Sequence, residues 1–473
     1  MKSNKLKISA IILVAIVLIQ LITSYCFGFL LESNRKDELK SLENIQLLKV
    51  NNITYKRNIF STDIDLDTSL DLQKLNSLYG ISLSESNADS KTRVRMHMQH
   101  GLFTGIFHGY LMPTLAFGQV TIKYPSMLSE KLDKIFNNKE PLKITRLIYL
   151  NKTVKDYMII AEGSYTSTTS NSKISWKQIS LIGKSNKNRE DIKFKINMPL
   201  LDMKTNDLSM VVTDFKGNIN QNYGKWKFMP TGDSRYRADT VKINIAGTKE
   251  DPAGLELTLN NPSYRDTTLE KNNFIDMQEL IKIKKIIVKT AQTHEKFKDI
   301  RIDFSFNHLA AKPLDQLIES INQWSSNDAD STSEKSGEVI SGIFKPLKPN
   351  FAELLINKPE FNLHNASIKI PEISNKDDKN KQPGGEIKVT SNLKLNNFIA
   401  SDLDDFNQLQ KKILFEMKII VPQAMLPFKG ELATYNTKFI VNDKIGEMKI
   451  SYVNGQLLIN DKLIDESSTS NGK

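Results

Sequence analysis

The sequence contains a single cysteine, Cys26, which lies inside a long apolar stretch near the N-terminus. The remainder of the chain therefore has no thiol for a disulfide framework or a thiolate metal site. Tyr25 stands where a lipid-attachment signal needs a small residue, so we interpret Cys26 as an ordinary membrane residue. Residues 32–473 must be stabilised by the packing of their own core.

Recognisable catalytic motifs are also missing from the sequence. A phosphate-binding loop ending in Gly183-Lys184-Ser185 would need glycine at position 178, where Gln178 stands. Neither a Gly-x-Ser-x-Gly elbow nor a His-Glu-x-x-His motif occurs. We therefore predict no catalytic residues, no cofactor and no metal ligands. The alternative is a hydrolase that uses two of the scattered carboxylates.

A concentrated basic patch is lacking too. Lys and Arg outnumber Asp and Glu by 65 to 54, and the net charge is +11, but the charges are spread along the chain. A nucleic-acid surface needs clustered basic residues with stacking aromatic residues between them. The sequence therefore predicts no nucleic-acid partner.

The most distinctive segment that is present is the uncharged apolar run Ile8–Leu31. A helix over this run is about 36 Å long, enough to cross a hydrocarbon core of about 30 Å. The apolar core of a signal peptide is shorter, about 7–15 residues, so we predict an uncleaved transmembrane helix. Lys2, Lys5 and Lys7 precede the run, which by the positive-inside rule keeps the N-terminus cytoplasmic. The bulk of the chain then lies in the periplasm of a Gram-negative cell.

The sequence predicts five segments. They are a cytoplasmic tip (1–7), a transmembrane anchor (8–31), a helical stalk or linker (32–50), a β-rich domain (51–465) and a polar tail (466–473). The linker is predicted to be helical because its apolar residues recur every three positions. Alternating strands before and after the central helices suggest two similar sheet units within the β-rich domain.

The clearest strand pattern runs from Ile53 to Leu72. From Phe60 onward the even positions are apolar or threonine, and the odd positions are aspartate or serine. This period of two predicts a long antiparallel strand with one wet face. Asp63, Asp65 and Asp67 do not continue into a calcium-binding loop, so we predict that they form a solvated strand face.

Three histidines, His97, His100 and His108, fall close together in the sequence. A zinc site would need neighbouring carboxylates or a helical pair four residues apart, and neither is present. Glycines between and after them indicate turns. We predict structural roles for the three histidines, with a metal site or a catalytic role as the alternatives.

Two segments carry a helical pattern, and one dipeptide indicates a hairpin. Tyr124–Asn138 predicts a helix with one apolar stripe. Phe274–Phe297 predicts an amphipathic helix whose lysine face is either solvated or lies on an anionic membrane surface. Asn454-Gly455 predicts a tight hairpin. The predicted fold class is α+β, mostly long antiparallel β-sheet with a few amphipathic helices, plus one N-terminal transmembrane helix.

Short motifs in the same order resemble the YdgA-like family of bacterial proteins. The residues that carry the resemblance are Tyr55, Arg57, Phe60, His100, Gly101, Phe103, Tyr452, Asn454 and Gly455. Asn58, Leu102 and Asp461 depart from the residues usual in that family. The resemblance implies an inner-membrane anchor and a periplasmic domain of unassigned function. It carries over structural positions and no catalytic residues.

These observations predict a non-enzymatic protein of the cell envelope that binds another envelope component. One alternative is a lipid-binding or lipid-transfer protein with an apolar groove. Another is a periplasmic hydrolase. The expected partners are the membrane and either a lipid or another envelope protein, and a homodimer is left open.

Overall fold

A computed structural model describes most of the chain. The described residues are 20, 23–25, 48–70, 91–110, 112–167, 172–186, 188, 190–226, 228–247, 254–290, 293–327, 347–372, 384–426, 438–442 and 444–463. The tip, the polar tail and most of the predicted anchor and linker lie outside them. No helix within these ranges is long and apolar enough to cross a membrane.

The described residues are mainly antiparallel β-structure with few helices, which confirms the β-rich part of the predicted fold class. The chain divides into two compact units. The first unit consists mainly of Met1–Thr166 and Lys173–Pro199, and the second mainly of Leu200–Asp328 and Thr332–Lys473.

The first unit is an antiparallel sheet of successive hairpins. Its strands are β1 (Leu48–Arg57), β2 (Ser61–Leu70), β3 (Lys91–His100), β4 (Thr114–Lys123), β5 (Leu142–Tyr149), β6 (Val154–Ile160), β7 (Gly163–Thr166), β8 (Lys173–Trp176), β9 (Ile179–Ser185) and β10 (Asp191–Lys204). The pairing order is β1–β2–β3–β4–β5–β6–β9–β10, and β7 pairs with β8. Turns between consecutive strands therefore collect at two opposite ends of this sheet.

Two predictions about the start of this sheet need correction. The single strand predicted over Ile53–Leu72 is two strands, because the chain turns back at Asn58–Phe60. β1 also begins at Leu48, whose partner is Leu70, so the last three residues of the predicted helical linker are strand. Pairing with a long neighbouring strand supplies hydrogen bonds for these residues, and a local helical period does not detect such bonds.

The helix predicted over Tyr124–Asn138 is confirmed as Ser126–Phe136. A shorter helix, α1, covers Thr104–Phe107, and we call the longer one α2. Asn137 ends α2 in the left-handed conformation, with φ of 52°. Phe136 is buried and meets Trp176 edge to face, with ring centroids 5.6 Å apart. This contact fixes α2 at one end of the sheet.

The second unit is built from longer strands. They are β11 (Leu208–Asn222), β12 (Thr231–Arg237), β13 (Thr240–Ile245), β14 (Leu255–Lys271), β15 (Phe274–Lys289), β16 (His294–Ala310), β17 (Glu360–Ile370), β18 (Gly385–Leu395), β19 (Ile413–Pro422), β20 (Ile440–Val441), β21 (Ile445–Val453), β22 (Gln456–Ile459) and β23 (Lys462–Leu463). β12 and β13 both pair with β11 and with β14. From β14 the order continues β15–β16–β17–β18–β19–β21–β22–β23.

Three α-helices belong to the described residues of this second unit. They are α3 (Ala311–Asn327), α4 (residues 347–356) and α5 (Phe406–Lys412). The buried cluster beneath α3 and α4 joins Ile275, Leu309 and Leu354. Leu314 and Ile318 of α3 lie four residues apart on one helical face and pack against that cluster.

The helix predicted over Phe274–Phe297 is wrong. Phe274–Lys289 is β15, and β16 begins at His294. Six β-branched residues favour a strand here: Ile275, Ile281, Ile283, Ile286, Ile287 and Val288. The preceding turn residues Asn272 and Asn273 both have positive φ, which closes a two-residue hairpin with β14. The lysine-faced amphipathic helix therefore does not exist, and the membrane role that depended on it is withdrawn.

The hairpin predicted at Asn454-Gly455 is confirmed. Val453 of β21 pairs with Gln456 of β22, so the two residues between them form the whole loop. Their φ angles are 53° and 81°, the left-handed values that a type I′ turn requires. Asparagine and glycine tolerate this conformation best, which explains the sequence signal.

Candidate functional site

Three segments of the first unit meet at one end of its sheet, which we call the His100 end. They are the β1–β2 turn at residues 58–60, the β3–β4 loop at 101–113, and the described residues of the apolar run. The backbone N–H of His100 donates to Phe60 O at 2.7 Å, and that of Gly101 donates to Leu115 O at 2.8 Å. These bonds hold the turn and the loop together.

The motif residues near the N-terminal half converge here. Arg57 ends β1 and Phe60 is the last residue of the β1–β2 turn, His100 ends β3, and Gly101 and Phe103 belong to the β3–β4 loop. Tyr55 lies two residues before Arg57, opposite Ile64 of β2. The other motif residues, Tyr452, Asn454 and Gly455, belong to the β21–β22 hairpin of the second unit.

His100 is buried, with 1% of its surface exposed. Its Nε2 lies 2.8 Å from Thr62 Oγ1, within hydrogen-bond distance. Burial, then the positive charge of Arg57 and a contribution from His97, lowers the pKa of His100 from 6.5 to about 4. The imidazole is therefore neutral at pH 7 and occupies a packed position within the sheet.

The other two clustered histidines have different neighbours. His97 Nδ1 lies 2.7 Å from an oxygen of Asp63 on β2. His108 stacks on Phe117 with ring centroids 3.7 Å apart. Within the described ranges no group of three or more His, Cys, Asp or Glu residues is arranged to hold a metal ion.

Two polar residues of the apolar run complete the His100 end. Ser24 Oγ donates to Ile59 O at 2.8 Å and to His100 O at 3.2 Å. Gln20 Nε2 donates to His100 O at 3.3 Å, and its Oε1 accepts from Phe103 N at 3.2 Å. Sequence reasoning missed this contact, although the spacing of four places Gln20 and Ser24 on one helical face.

Gly101 lies directly against the side chain of Gln20. Its φ is +123°, and a Cβ there would lie 2.0 Å from Gln20 Nε2. The backbone angle therefore favours glycine, and a Cβ would displace the Gln20 amide from its bonds to His100 O and Phe103 N. Thr104 Oγ1 donates to Gly101 O at 2.8 Å, and Thr114 Oγ1 accepts from Gly105 N at 2.8 Å, so the loop is tied at both ends.

The tips of the His100 end expose large apolar side chains. Phe107 is 79% exposed, Met112 64% and Ile59 60%. Phe60 and Ile106 are also exposed. We call these five residues the apolar tips. Large apolar groups exposed together mark an interaction surface more often than an ordinary solvated loop.

The second unit has an apolar surface of a different kind. Directly opposed residues on neighbouring antiparallel strands point to the same face of a sheet. The pairing aligns three mainly apolar rows on one face of the sheet, which together we call the apolar face. The first row is Met277, Phe306, Phe361, Leu393, Phe415, Tyr452 and Leu457. The second row is Phe304, Leu363, Ser391, Met417, Ile450 and Ile459, and the third is Ile281, Ile302, Ala366, Val389, Ile419 and Met448. Rings within the first two rows touch, with Phe306 and Phe361 centroids 5.1 Å apart.

Coverage of the apolar face is uneven. At the third row Met448 is buried and packs with Val421 and Phe439. In the first row Phe306, Leu393 and Leu457 are each more than one third exposed. The first row is therefore exposed on β16, β18 and β22, whereas at its β15 end Met277 packs against the buried cluster beneath α3 and α4.

A serine–histidine pair lies in the same unit, on β16 and β17. Ser305 Oγ is 2.9 Å from His364 Nε2. The nearby carboxylate of Asp303 accepts from Arg301 at 2.6 Å and from Gln278 at 3.1 Å. A hydrolytic triad needs its carboxylate bonded to the other ring nitrogen of the histidine. These bonds make the group a polar cross-strand network, and they do not assemble a triad.

Comparison with known proteins gives a family and no function. The sequence profile of the bacterial family DUF945 matches residues 3–428. No curated protein and no solved structure matches the chain. The chain therefore belongs to DUF945, a family of bacterial proteins of unknown function.

Proposed function

We propose that this protein is a single-pass inner-membrane protein whose periplasmic β-rich region binds a lipid of the cell envelope. The uncharged run Ile8–Leu31 and the lysines before it support the anchor and its orientation. The resemblance to the YdgA-like family supports the same location. The lipid is the envelope component that best fits the exposed chemistry of the second unit.

The observation that carries this proposal is the open first row of the apolar face. Its exposed members offer alkyl and aromatic surface, and the strand backbones beneath them are paired in the ladder. A ligand that covers such a surface removes apolar area from water, which stabilises the complex by about 25 cal/mol per Å². It has few donors or acceptors with which to select a polar ligand. An acyl chain matches its composition and its elongated form.

Polar groups at one end of the face are already engaged. Glu279 stands beside Phe304 in the second row, and its carboxylate accepts from Tyr264 Oη at 3.1 Å. Desolvation and the Glu279 charge raise the pKa of this phenol, so it stays a donor at pH 7. The charged group at the β15 end of the second row is therefore bonded to the Tyr264 phenol.

A binding role without catalysis agrees with the other features of the chain. The sequence has no recognisable catalytic motif, and Asp303 is held by Arg301 and Gln278. His100 is buried against Thr62. We assign none of these residues to a reaction.

Photocrosslinking in cells tests the proposal. The photoreactive residue benzoylphenylalanine is placed at Leu393, on the apolar face, in the full-length chain. The matched control carries it at Lys394, which is also exposed but points to the opposite face of β18. After irradiation, mass spectrometry of the purified protein is expected to find a lipid adduct at position 393 and none at 394.

Two results would overturn the lipid assignment. Equal lipid labelling at 393 and 394 would show nonspecific contact with membrane lipid. A crosslink from 393 to another protein, without lipid, would replace the lipid by a protein partner on the same face.

A further inference from the structure

We infer that the His100 end of the first unit is immersed in the periplasmic leaflet of the inner membrane, where the apolar tips contact acyl chains. This inference rests on the membrane anchor of the proposed function. It concerns a different unit and a different surface from the lipid-binding face described above.

The connection to the apolar run identifies lipid as the occupant. Ser24 and Gln20 belong to that run, and both bond directly to the His100 end. In the helix that the sequence predicts for Ile8–Leu31, Ser24 lies about 24 Å along the axis from Ile8. A hydrocarbon core is about 30 Å thick. If Ile8 marks the cytoplasmic boundary of that core, Ser24 is about 6 Å inside the opposite boundary.

The atoms bonded to Ser24 share its depth. Ile59 O and His100 O accept from the serine hydroxyl, so the β1–β2 turn and the end of β3 lie at that level. Side chains that extend beyond these backbones reach the same hydrocarbon. Phe60 and Ile59 belong to this turn and are exposed, as lipid contact requires.

Several backbone polar groups at the His100 end are hydrogen-bonded within the protein, as an apolar medium requires. Irregular backbone is tolerated at membrane depth only where it is buried within the protein, because an unsatisfied N–H or C=O in hydrocarbon costs several kcal/mol. Gln20 and Ser24 bond two carbonyls and one N–H of the turn and loop. Thr104 and Thr114 bond further groups of the loop, and both are buried.

Apolarity falls with distance from the apolar run across the sheet. The turns nearest to Ser24 carry the apolar tips. The β5–β6 turn, one hairpin further, has one exposed apolar residue, Leu150, followed by Asn151 and Lys152. The β9–β10 connection at residues 186–190 contains only Asn, Lys, Arg and Glu. A general hydrophobic surface would not show this gradient, whereas a sheet whose near corner enters the membrane does.

The residues at the border of the His100 end, Arg57 and Tyr25, are of the types found at membrane interfaces. The Arg57 guanidinium lies 5.2 Å from the centroid of the Tyr25 ring. Tyrosine and arginine place an apolar body in the bilayer and a polar tip at the headgroups. Arg57 is therefore positioned to meet lipid phosphate while Phe107 and Met112 enter the acyl region.

Spin-label accessibility in nanodiscs tests the inference. Full-length protein with Cys26→Ser receives a nitroxide at Phe107→Cys or, as a matched control, at Tyr165→Cys. Tyr165 is 48% exposed on β7, toward the opposite end of the same unit. Relative to a polar nickel complex, oxygen is expected to collide more often with the label at 107 than with the label at 165.

The outcomes separate this inference from the anchor. Flotation of the same labelled proteins after reconstitution into lipid vesicles reports whether the chain is membrane-bound. A floating protein with equal, water-like accessibility at 107 and 165 would refute immersion and leave the anchor standing. A label at 107 shielded from both reagents would mean that protein, including a second copy of the chain, covers the tips. A chain that does not float would overturn the anchor and the immersion together.

Discussion

At the scale of single residues, His100 shows how a titratable side chain becomes part of a core. Its neutral ring bonds Thr62, and a proton would be buried close to the positive charge of Arg57. The folded state therefore disfavours the charged imidazolium, which water can solvate only in the unfolded chain.

Stability should depend on pH through this residue. The pKa of His100 is about 4 in the folded protein against 6.5 ordinarily. Between these values the unfolded chain binds the extra proton, so the free energy of unfolding falls as the pH is lowered from about 6.5 to about 4. Below about 4 this group causes no further loss. Urea unfolding of the full-length protein in detergent at several pH values measures the effect.

The control for this pH effect is His100→Gln, whose amide does not titrate. We expect the variant to lose less stability than the parent over the same interval. Parallel curves for the two proteins would show that His100 does not contribute to the pH dependence.

Gly101 and Gly109 form a matched pair in the β3–β4 loop. Both have positive φ, but a Cβ on Gly101 meets Gln20, whereas one on Gly109 has no atom within 4 Å. Gly109→Ala should cost about 1 kcal/mol for backbone strain alone, and Gly101→Ala clearly more. In a Gln20→Ala background the excess cost of Gly101→Ala should shrink. Thermal unfolding compares the parent, the three single variants and the Gln20→Ala/Gly101→Ala double variant, and an unchanged excess would show that Gln20 does not press on Gly101.

At the scale of elements, the β2–β3 pair explains the alternating aspartates. Asp63, Asp65 and Asp67 are directly opposite His97, Arg95 and Arg93, and all three pairs are bonded. The face is solvated, as the sequence predicted, and it is also a ladder of opposite charges. Cross-strand pairs of this kind fix the register of two strands.

Exchanging one rung of the ladder tests its contribution. Asp65 accepts from Arg95 Nε at 2.8 Å, and this bond holds the pKa of the carboxyl below its usual value. Asp65→Arg alone places like charges opposite each other and should cost about 0.2–1 kcal/mol. Adding Arg95→Asp should restore most of the loss at low salt. Denaturant unfolding of the parent, the single variants Asp65→Arg and Arg95→Asp, and the double variant checks this, and a double variant no more stable than Asp65→Arg would contradict it.

Elements with a clear local signal were predictable from the sequence, and those fixed by partners were not. Asn454-Gly455 specifies its own turn, and α2 has its own apolar stripe. β15 was missed because apolar residues lie on both of its faces, which imitates a helical stripe when the neighbouring strands are unknown. Pairing with β14 and β16 on both edges decided its structure.

The same reasoning applies to the candidate sites. The motif residues around His100 were found in the sequence, whereas their bonds to Gln20 and Ser24 join positions about 80 apart. The apolar face depends on the register of seven strands. Neither arrangement has a local pattern, so neither was predictable from periodicity alone.

At the scale of the whole molecule, two surfaces of the chain suit lipid by different means. The apolar tips belong to irregular loops of the first unit, and the apolar face belongs to regular strands of the second. Bilayer contact requires exposed apolar side chains above a backbone that is itself buried and hydrogen-bonded within the protein. Holding an acyl chain along a sheet requires a continuous strip. If the chain is anchored and oriented as proposed, its apolar face lies in the compartment through which envelope lipids pass.

The orientation of the entire chain is the premise that these roles share. Because Lys2, Lys5 and Lys7 precede the apolar run, the N-terminus should stay in the cytoplasm. In Cys26→Ser protein, a membrane-impermeant maleimide should label Tyr165→Cys in cells with only the outer membrane opened. Ser3→Cys should react only after the inner membrane is lysed. The reverse pattern would place both apolar surfaces in the cytoplasm. If flanking charge sets the orientation, changing the three lysines to glutamate should move the labelling toward that reverse pattern.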